Sequence, residues 1–337
     1  MGKVEHTGRV VEAGDRFSHV MAITLDPRTN YKEGVVRCIT SRSGQIGVKG
    51  NLDRSVLHRV GGDTLERFEI GEKLVIKGEN EIIEKLGGPE WDFIGLEDPD
   101  IWIDEDKNLV HLYFTIPLKH RIVGEGHKKM RIYLGHAVGQ DLGSLEMTMP
   151  ALYSEDHGNA AKEVSIVPVN KDGVRLNIFE SADLVGDTWY STVRMAIARD
   201  MGERWEFGHT LFHPNEHKLS WIGGHASPGP FLPREIVDVG DGRLVGFMNG
   251  REANKKIGDV VHYGMFSVGL FIYDYERGKI DWVSEKPFIM DSEAKTITFA
   301  SQFVQTSMQE GILYAHVDDS FIRAYSIKPE NIESLLQ

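Results

Sequence analysis

The chain has 337 residues, of which 41% are hydrophobic and 26% charged, and 38 basic against 51 acidic side chains give a net charge of −13. This composition is typical of a globular protein with a sizeable core, and it argues against nucleic acid as a partner. A single cysteine, Cys38, excludes an intramolecular disulfide and a four-cysteine zinc site. Since no secretory leader and no membrane-length apolar run of about 18 residues occurs, we expect a soluble cytoplasmic protein that binds no membrane.

In chain order, one arrangement of short apolar strands recurs five times. Each unit has a first strand, an acidic or glycine-containing turn, a second strand, a variable loop, and a third strand that runs into a polar bend. The predicted strands, in the order first, second and third, are 19–24, 35–41 and 54–60; 97–103, 109–115 and 131–138; 162–169, 174–180 and 191–198; 229–239, 243–249 and 265–273; and 299–306, 312–318 and 321–327. An acid occupies the bend of the first four units, and 329–336 fits the same place less well.

The repeat predicts the fold class. Five units leave roughly 67 residues each, which suits a four-stranded sheet with one long loop, so we expect an all-β chain that forms one five-bladed β-propeller over 1–337. A β-sandwich also has many short strands but does not require five copies of one strand order. In a propeller the innermost strands surround the axis, and the starts of the first strands and the ends of the second strands therefore converge.

The stretch 91–102 is the richest in chemistry, because two tryptophans and a phenylalanine accompany its acids. Four acids lie there: Asp92, Glu97, Asp98 and Asp100. Carboxyl groups beside apolar rings have raised pKa values, as a general acid needs near neutral pH. The proline after Asp98 holds that residue at the strand entrance. The competing interpretation is that Asp98 caps a turn and the other acids are solvated.

Charged residues also stand at strand ends in other units. Lys162 and Glu163 begin the third unit, where they could form an ordinary surface ion pair. Glu180 ends the second strand of that unit after a largely apolar run, an unfavourable place for a carboxylate without a partner. Arg37 lies within an apolar strand, and a buried guanidinium requires a partner such as Asp98 or a ligand anion.

The fourth and fifth units supply groups that could hold a ligand. Trp221 is either a stacking platform for a sugar ring or a hydrophobic plug between blades. His225 lies in a loop rich in glycine and proline and is either a site residue or a hydrogen-bonded structural one. Asp319 follows a strand end. No phosphate-binding loop, serine-hydrolase elbow or zinc-protease motif occurs, which leaves carboxylates and aromatic rings, a set suited to glycosidic bonds.

The order of these motifs resembles glycoside hydrolase family 130, the β-mannoside phosphorylases and mannosidases. The segment 95–99 is similar to the family's Gly-Val-Glu-Asp-Pro, 162–168 to its Lys-Asp-x-x-Leu-Phe-Pro, 223–230 to its glycine-rich loop before blade four, and 313–320 to its Tyr-Tyr-Gly-Ala-Ala-Asp-Thr. The resemblance extends along nearly the whole chain and implies a five-bladed propeller. It also implies that Asp98 is the general acid of an inverting reaction.

Two departures from the family bear on the reaction. Asp100 and Glu180 stand where the family has arginines, and carboxylates at those places would repel the phosphate of a phosphorolysis. A carboxylate can instead orient a water, with the acid and base about 6.5–9.5 Å apart in an inverting hydrolase. We therefore expect hydrolysis, with Glu180 or Glu163 assisting the water. Arg37 and Lys162, which match basic residues of the family's site, keep phosphorolysis open as the alternative.

These arguments define a candidate site. The candidate catalytic residues are Asp98, Glu180 and Glu163, and the candidate substrate-binding residues are Arg37, Asp100, Lys162, Trp221, His225 and Asp319. The expected partner is a small β-linked oligosaccharide that could contain mannose, joined by inorganic phosphate in the phosphorylase alternative. No cofactor and no metal are predicted, although His225 alone hints at an ion in the channel. A non-catalytic propeller that binds carbohydrate or protein is a third hypothesis, and a homo-oligomer is compatible with the sequence.

Overall fold

The computed structural model describes residues 4–122, 130–154 and 159–336. Within those ranges the chain is built almost entirely from antiparallel β-strands, with two short α-helices. The all-β class predicted from the recurring strands is therefore confirmed. In the same ranges, no helix combines the length and the apolar character needed to cross a membrane.

The strands and helices follow one another in this order: β1 (His6–Glu12), β2 (His19–Leu25), β3 (Glu33–Ser43), β4 (Leu52–Thr64), β5 (Arg67–Lys73), α1 (Glu79–Gly87), β6 (Trp91–Phe93), β7 (Glu97–Asp104), β8 (Leu109–His120), β9 (Met130–Gly139), β10 (Glu146–Met147), β11 (Lys162–Ser165), β12 (Arg175–Val185), β13 (Thr188–Ala198), β14 (Glu206–Phe212), β15 (His225–Phe231), β16 (Arg243–Arg251), β17 (Lys255–Ile257), β18 (Val260–His262), β19 (Phe266–Asp274), β20 (Lys279–Val283), β21 (Thr298–Ser307), β22 (Glu310–Val317), β23 (Phe321–Ile327) and α2 (Pro329–Leu336).

The strands pair with their neighbours in sequence. β2 to β5 form one four-stranded sheet, and β6 to β10 form a second sheet in which both β6 and β7 pair with β8. β11 to β14 and β15, β16, β19 and β20 are two antiparallel groups, joined into one sheet by a single parallel pair between Ser191 and His225. The last sheet contains β21, β22 and β23. Every predicted first, second and third strand therefore has a counterpart in the structure.

The outermost strand of the last sheet comes from the other end of the chain. The sequence suggested 329–336 for that place, but these residues form helix α2, and β1 pairs with β23 instead. Proline suits the first position of a helix, and Ile332 and Leu335 pack into the apolar cluster behind the sheet. β1 contributes Val10 and Val11, which are both buried. The two chain ends are therefore held in one sheet.

The fourth first strand also begins earlier than predicted, at His225 rather than at residue 229. Residues 225–228 pair with β16 in antiparallel register, so the glycine- and proline-rich segment is a strand and not a loop. His225 is consequently fixed by a backbone ladder.

The core lies between neighbouring sheets, where five clusters of buried apolar side chains fill the space. Three tyrosine hydroxyls within this core donate hydrogen bonds to carbonyl groups of the adjoining unit. Tyr113 reaches Met201, Tyr273 reaches Leu176 and Tyr314 reaches Leu65, at 2.6, 2.7 and 2.7 Å respectively. The bonds satisfy hydroxyls that burial would otherwise leave without a partner.

The closure by β1 predicts a stability difference within that strand. Val11→Ala should lower the free energy of unfolding by about 1–3 kcal/mol, because Val11 is buried against the last and first sheets. Thr7→Ala, at an exposed position of β1, should change it by less than about 0.5 kcal/mol. Urea unfolding of the two variants measures the difference, and equal values would contradict the packing of β1 against the core.

Candidate functional site

A backbone irregularity lies at a matching place in β2, β7 and β11. In each strand the pairing register shifts, and the residues at the shift are Ala22, Asp98 and Glu163, with φ of 46°, 49° and 49°. A side chain with positive φ costs energy, and bulges of this kind re-aim a side chain. Asp98 and Glu163, at the irregularities in β7 and β11, both line two cavities.

Two cavities meet at these acids. The central cavity, of about 240 Å³, is lined by residues of all five first strands, including Ala22, Asp98, Glu163, Gly229 and Ser301. The site pocket, of about 210 Å³, lies on the other side of Asp98 and Glu163. Its polar lining comprises Arg37, Asn51, Glu97, Asp98, Lys162, Glu163, His225, Tyr263, Thr296, His316 and Asp319. Six of the nine predicted site residues thus line one pocket.

The guanidinium of Arg37 joins the two acids that begin β7. Its Nη1 donates to Asp98 Oδ1 at 2.7 Å and its Nη2 to Glu97 Oε1 at 2.6 Å, and all three side chains are largely buried. Of the two partners that the sequence left open for Arg37, Asp98 or a ligand anion, the structure shows Asp98. Burial alone would raise the pKa of Asp98, but Arg37 and Lys162 hold it below its ordinary value. Asp98 is therefore ionised in the ligand-free protein.

The raised pKa values that the sequence suggested for the stretch 91–102 fall on Glu97 and Asp100 and not on Asp98. Burial raises the pKa of Glu97 to about 7. Burial and the negative charge of Asp98 raise the pKa of Glu163 well above its ordinary value, and a side-chain hydrogen bond connects these two acids. Burial and the mutual repulsion of the two carboxyls favour a pair that shares one proton. A raised pKa suits Glu163 better to donating a proton than to acting as a base for water.

Glu180 does not occupy the place predicted for a residue that assists the water. Its side chain is 1% exposed, Lys162 Nζ lies 3.2 Å from one oxygen and His225 Nε2 lies 3.1 Å from the other. Burial would raise the pKa of Glu180, but His225 and Lys162 lower it far below the ordinary range, so it is ionised. Burial lowers the pKa of His225, which donates as a neutral ring. Glu180 positions two pocket residues and does not itself reach the pocket.

Two predicted substrate-binding residues lie elsewhere. Asp100 lines the central cavity, and burial raises its pKa to about 7. Trp221 is buried against Gly250 and Gly269, and its indole N–H donates to the Ser284 carbonyl at 3.1 Å. It is a hydrophobic plug between elements and not a stacking platform, because its ring faces no cavity in the described part of the chain.

His316 is a pocket residue that the sequence did not single out. The Ala22 N–H donates to His316 Nδ1 at 3.3 Å, which leaves the ring proton on Nε2, 3.1 Å from Asp319 Oδ1. Asp318 anchors the segment by accepting the N–H groups of Thr296 and Ile297. Asp319 is thereby held at the pocket wall, and its role in binding substrate stays a prediction. The signal for His316 was its position three residues before Asp319, at the end of a second strand.

Across 4–122, 130–154 and 159–336, no three histidine, cysteine or acidic side chains are grouped as ligands of a metal ion would be.

Comparisons with known proteins identify the fold. No protein-family model and no curated protein matches the chain. Among solved structures, a glycosyl hydrolase from Bacteroides ovatus aligns with a TM-score of 0.66 at 18% identity, over 98% of this chain and 94% of that one. β-1,2-Mannobiose phosphorylase from Listeria innocua aligns with a TM-score of 0.63 at 12% identity, over 100% of this chain and 94% of that one. A mannose phosphorylase from Leishmania mexicana aligns with a TM-score of 0.55 at 14% identity, over 98% of this chain and 90% of that one.

This chain has their fold. The predicted resemblance to the propeller-type glycosidases of glycoside hydrolase family 130 is confirmed at the level of the fold. At identities of 12% to 18%, this likeness shows the fold alone.

The buried ion pairs of Arg37 predict a pH-dependent loss of stability in Arg37→Met. At pH 7 the variant leaves two buried acids unpaired, and we expect a loss of about 3–5 kcal/mol. In the wild type, the contribution of Asp98 is present at neutral pH and lost only as the pH falls through its lowered pKa. In the variant, burial raises the pKa of both acids, so protonation should relieve the loss as the pH falls from 7 to 5.

Urea unfolding at the two pH values measures this effect. Lys77→Met is the matched control, because the side chains of Lys77 and Glu146 are both exposed. Removing this pair should lower the free energy of unfolding by less than about 1 kcal/mol. A loss in Arg37→Met that is the same at both pH values would show that Asp98 is not ionised at pH 7.

Proposed function

We propose that this protein is an inverting glycoside hydrolase that cleaves short β-linked oligosaccharides, with β-mannosides as the first substrates to test, and that Asp98 serves as its general acid. One observation carries the proposal: two buried carboxyl groups, Asp98 and Glu163, lie together at the wall of a polar pocket, and burial and the charge of Asp98 raise the pKa of Glu163. The fold it shares with glycoside hydrolases and mannoside phosphorylases supports a carbohydrate substrate.

We further propose that the scaffold is a ring of five blades. Hydrogen bonds connect each of the five units to the next and the fifth back to the first: Ile101 N–H to Thr24 Oγ1, Tyr113 Oη–H to Met201 O, Ser165 Oγ–H to Gly229 O, Ala300 N–H to Asn249 Oδ1, and Leu25 N–H to Gln302 Oε1. A closed cycle of five such contacts, with first strands of all units around one cavity, is the pattern that a five-bladed propeller requires.

The proposed reaction follows from which carboxyl groups of the pocket can give a proton and which can accept one. The proton on Glu163 passes through Asp98 to the bridging oxygen as the bond from that oxygen to C1 breaks. Water attacks C1 from the opposite face and gives its proton to a base. Glu180 is enclosed and the pKa of Glu163 is raised, whereas Asp319 lines the pocket beside His316. Asp319 is therefore the carboxylate best placed to receive the water's proton.

The charges of the pocket favour water over phosphate. Its two cations, Arg37 and Lys162, are already paired with carboxylates, Arg37 with Asp98 and Lys162 with Glu180. Asp319 adds a further acid to the lining. A phosphate dianion would have to enter a pocket whose described cations are already neutralised, which costs electrostatic free energy. The phosphorylase alternative requires that one of these pairs break when phosphate binds.

An assay with and without phosphate separates the two reactions. We expect release of free sugar from β-manno-oligosaccharides or aryl β-glycosides at the same rate in either buffer. Proton NMR of the first product should show the α-anomer, as inversion at C1 requires. Phosphate-dependent formation of a sugar 1-phosphate would instead establish a phosphorylase.

Asp98→Asn tests the acid itself. The amide cannot relay the proton, so kcat should fall about 10²- to 10⁴-fold with little change in KM. Asp106→Asn, on an exposed turn of the same unit, is the control and should keep full activity. A variant Asp98→Asn that retains most of the wild-type kcat would overturn the assignment. If no sugar is turned over by the wild type, and carbohydrate binds equally well to Asp98→Asn, the protein is a binding propeller.

A further inference from the structure

A second, larger cavity adjoins the site pocket and shares His225, Tyr263 and Phe266 with it. This side cleft has a volume of about 680 Å³. Its walls come from the ends of two hairpins, the turn between β12 and β13 and the segment around β17 and β18. Its charged and aromatic lining comprises Lys49, Asp187, Trp189, Tyr190, Arg251, Lys256, Tyr263 and Phe266.

Arg251 is the unusual member of this lining. The part of the chain that the structure describes contains three buried arginines. Arg37 and Arg323 each pair with two carboxylates. Arg251 contacts no carboxylate of the described residues: its Nη1 donates to the Asn254 side-chain oxygen, and its Nη2 to the Gly224 carbonyl at 3.4 Å.

The described residues around Arg251 provide no counter-ion for its guanidinium. Its guanidinium lies 4.7 Å from the centre of the Tyr263 ring and 5.5 Å from that of Phe266. Glu180 attracts it at longer range, but both Glu180 oxygens are engaged by Lys162 and His225. Burial lowers the pKa of Arg251, as expected for a cation without a counter-ion, although an arginine stays charged in proteins. A buried cation of this kind is costly until an anion reaches it.

The remaining lining of the side cleft has the same bias. Lys49 and Lys256 add two exposed ammonium groups, against the single acid Asp187. In a chain with a net charge of −13, this is a local reversal of sign next to an acidic pocket. Trp189 is 62% exposed, so its ring is available to stack on the face of a sugar.

We propose that the side cleft binds a carboxylate carried by the saccharide, as in a uronic acid, with Arg251 as its principal partner. This inference rests on the proposed function only in taking a saccharide as the ligand. It narrows the substrate to acidic oligosaccharides, with the anion in the side cleft and the scissile bond in the site pocket. A planar guanidinium can hold a carboxylate or phosphate through two hydrogen bonds, and Lys256 adds to the attraction.

The test compares paired ligands by calorimetry on the full-length Asp98→Asn protein, in which binding can be measured without turnover. The pairs are β-mannobiose and the same disaccharide oxidised to a uronate at one unit or the other. We expect one uronate to bind at least about tenfold more tightly than the neutral sugar, with a preference that shrinks as salt is raised.

Arg251→Gln should abolish the preference, and Arg251→Lys should retain part of it. Lys256→Gln should reduce it about two- to fivefold while leaving the fold intact, since Lys256 is exposed. The matched control is Lys255→Gln in the same strand, because Lys255 pairs with Glu252 and does not line the cleft. Equal binding of neutral and acidic sugars, no binding of either uronate, or a preference untouched by both Arg251→Gln and Lys256→Gln would overturn the proposal.

Inorganic phosphate is the second probe, because a free oxyanion has the same chemistry. If phosphate alone binds in an Arg251-dependent way and the wild-type reaction requires it, the anion is a co-substrate and the proposal of an acidic saccharide is wrong. An Arg251-dependent uronate preference together with full activity of Asp98→Asn would leave the binding inference standing and reject the proposed acid. The two hypotheses therefore fail separately.

Discussion

The guanidinium of Arg37 between Glu97 and Asp98 is the interaction on which the candidate site depends. Three carboxyl groups lie at the start of β7 and β11, and burial would protonate all of them in the absence of a cation. Arg37 and Lys162 decide which acid loses its proton, because their charges favour the ionised form of Asp98. Glu163 then keeps its proton since it faces that negative charge. Burial, the two cations and the charge of Asp98 together thus set the protonation pattern of the three acids.

The strained backbone at Asp98 and Glu163 belongs to the same arrangement. A non-glycine residue with positive φ is strained, and it persists only where the surrounding structure holds it in place. Here Asp98 and Glu163 each lie within an antiparallel pair of strands. Ala22 has the same conformation in β2, and its N–H donates a hydrogen bond to His316 Nδ1. β2 thereby positions a histidine of β22 while β7 and β11 present acids. The recurring irregularity serves a different purpose in each strand because the side chain differs.

Much of the fold could be predicted from the sequence because strand order repeats, and a repeat is visible without knowledge of tertiary contacts. The sequence could not show that β1, and not 329–336, pairs with β23, because pairing between strands far apart in the chain leaves no local pattern. In the site, the need of Arg37 for an acidic partner or a ligand anion could be predicted because it lies in an apolar strand, but the choice of Asp98 could not. For Glu180 the apolar strand indicated burial, but only the fold shows that Lys162 and His225 enclose it.

Trp221 and Trp189 show the same limit of sequence reasoning from another side. Both are tryptophans near a turn, and the sequence does not reveal which ring is covered. Gly250 and Gly269 leave space for the indole of Trp221, so that ring is buried, whereas Trp189 stands at the end of a hairpin beside the side cleft.

The two cavities around His225 have opposite electrostatic character, and this contrast bears on how a ligand would be oriented. The site pocket neutralises its own cations with buried acids, whereas the side cleft leaves Arg251 without a carboxylate among the described residues. An anionic group therefore gains more in the side cleft than in the pocket, because attraction there is not offset by nearby acids. A saccharide with one charged unit would enter in a single direction, with its neutral glycosidic oxygen next to Asp98. The acids that disfavour phosphate in the pocket would thus also favour one binding orientation of the substrate.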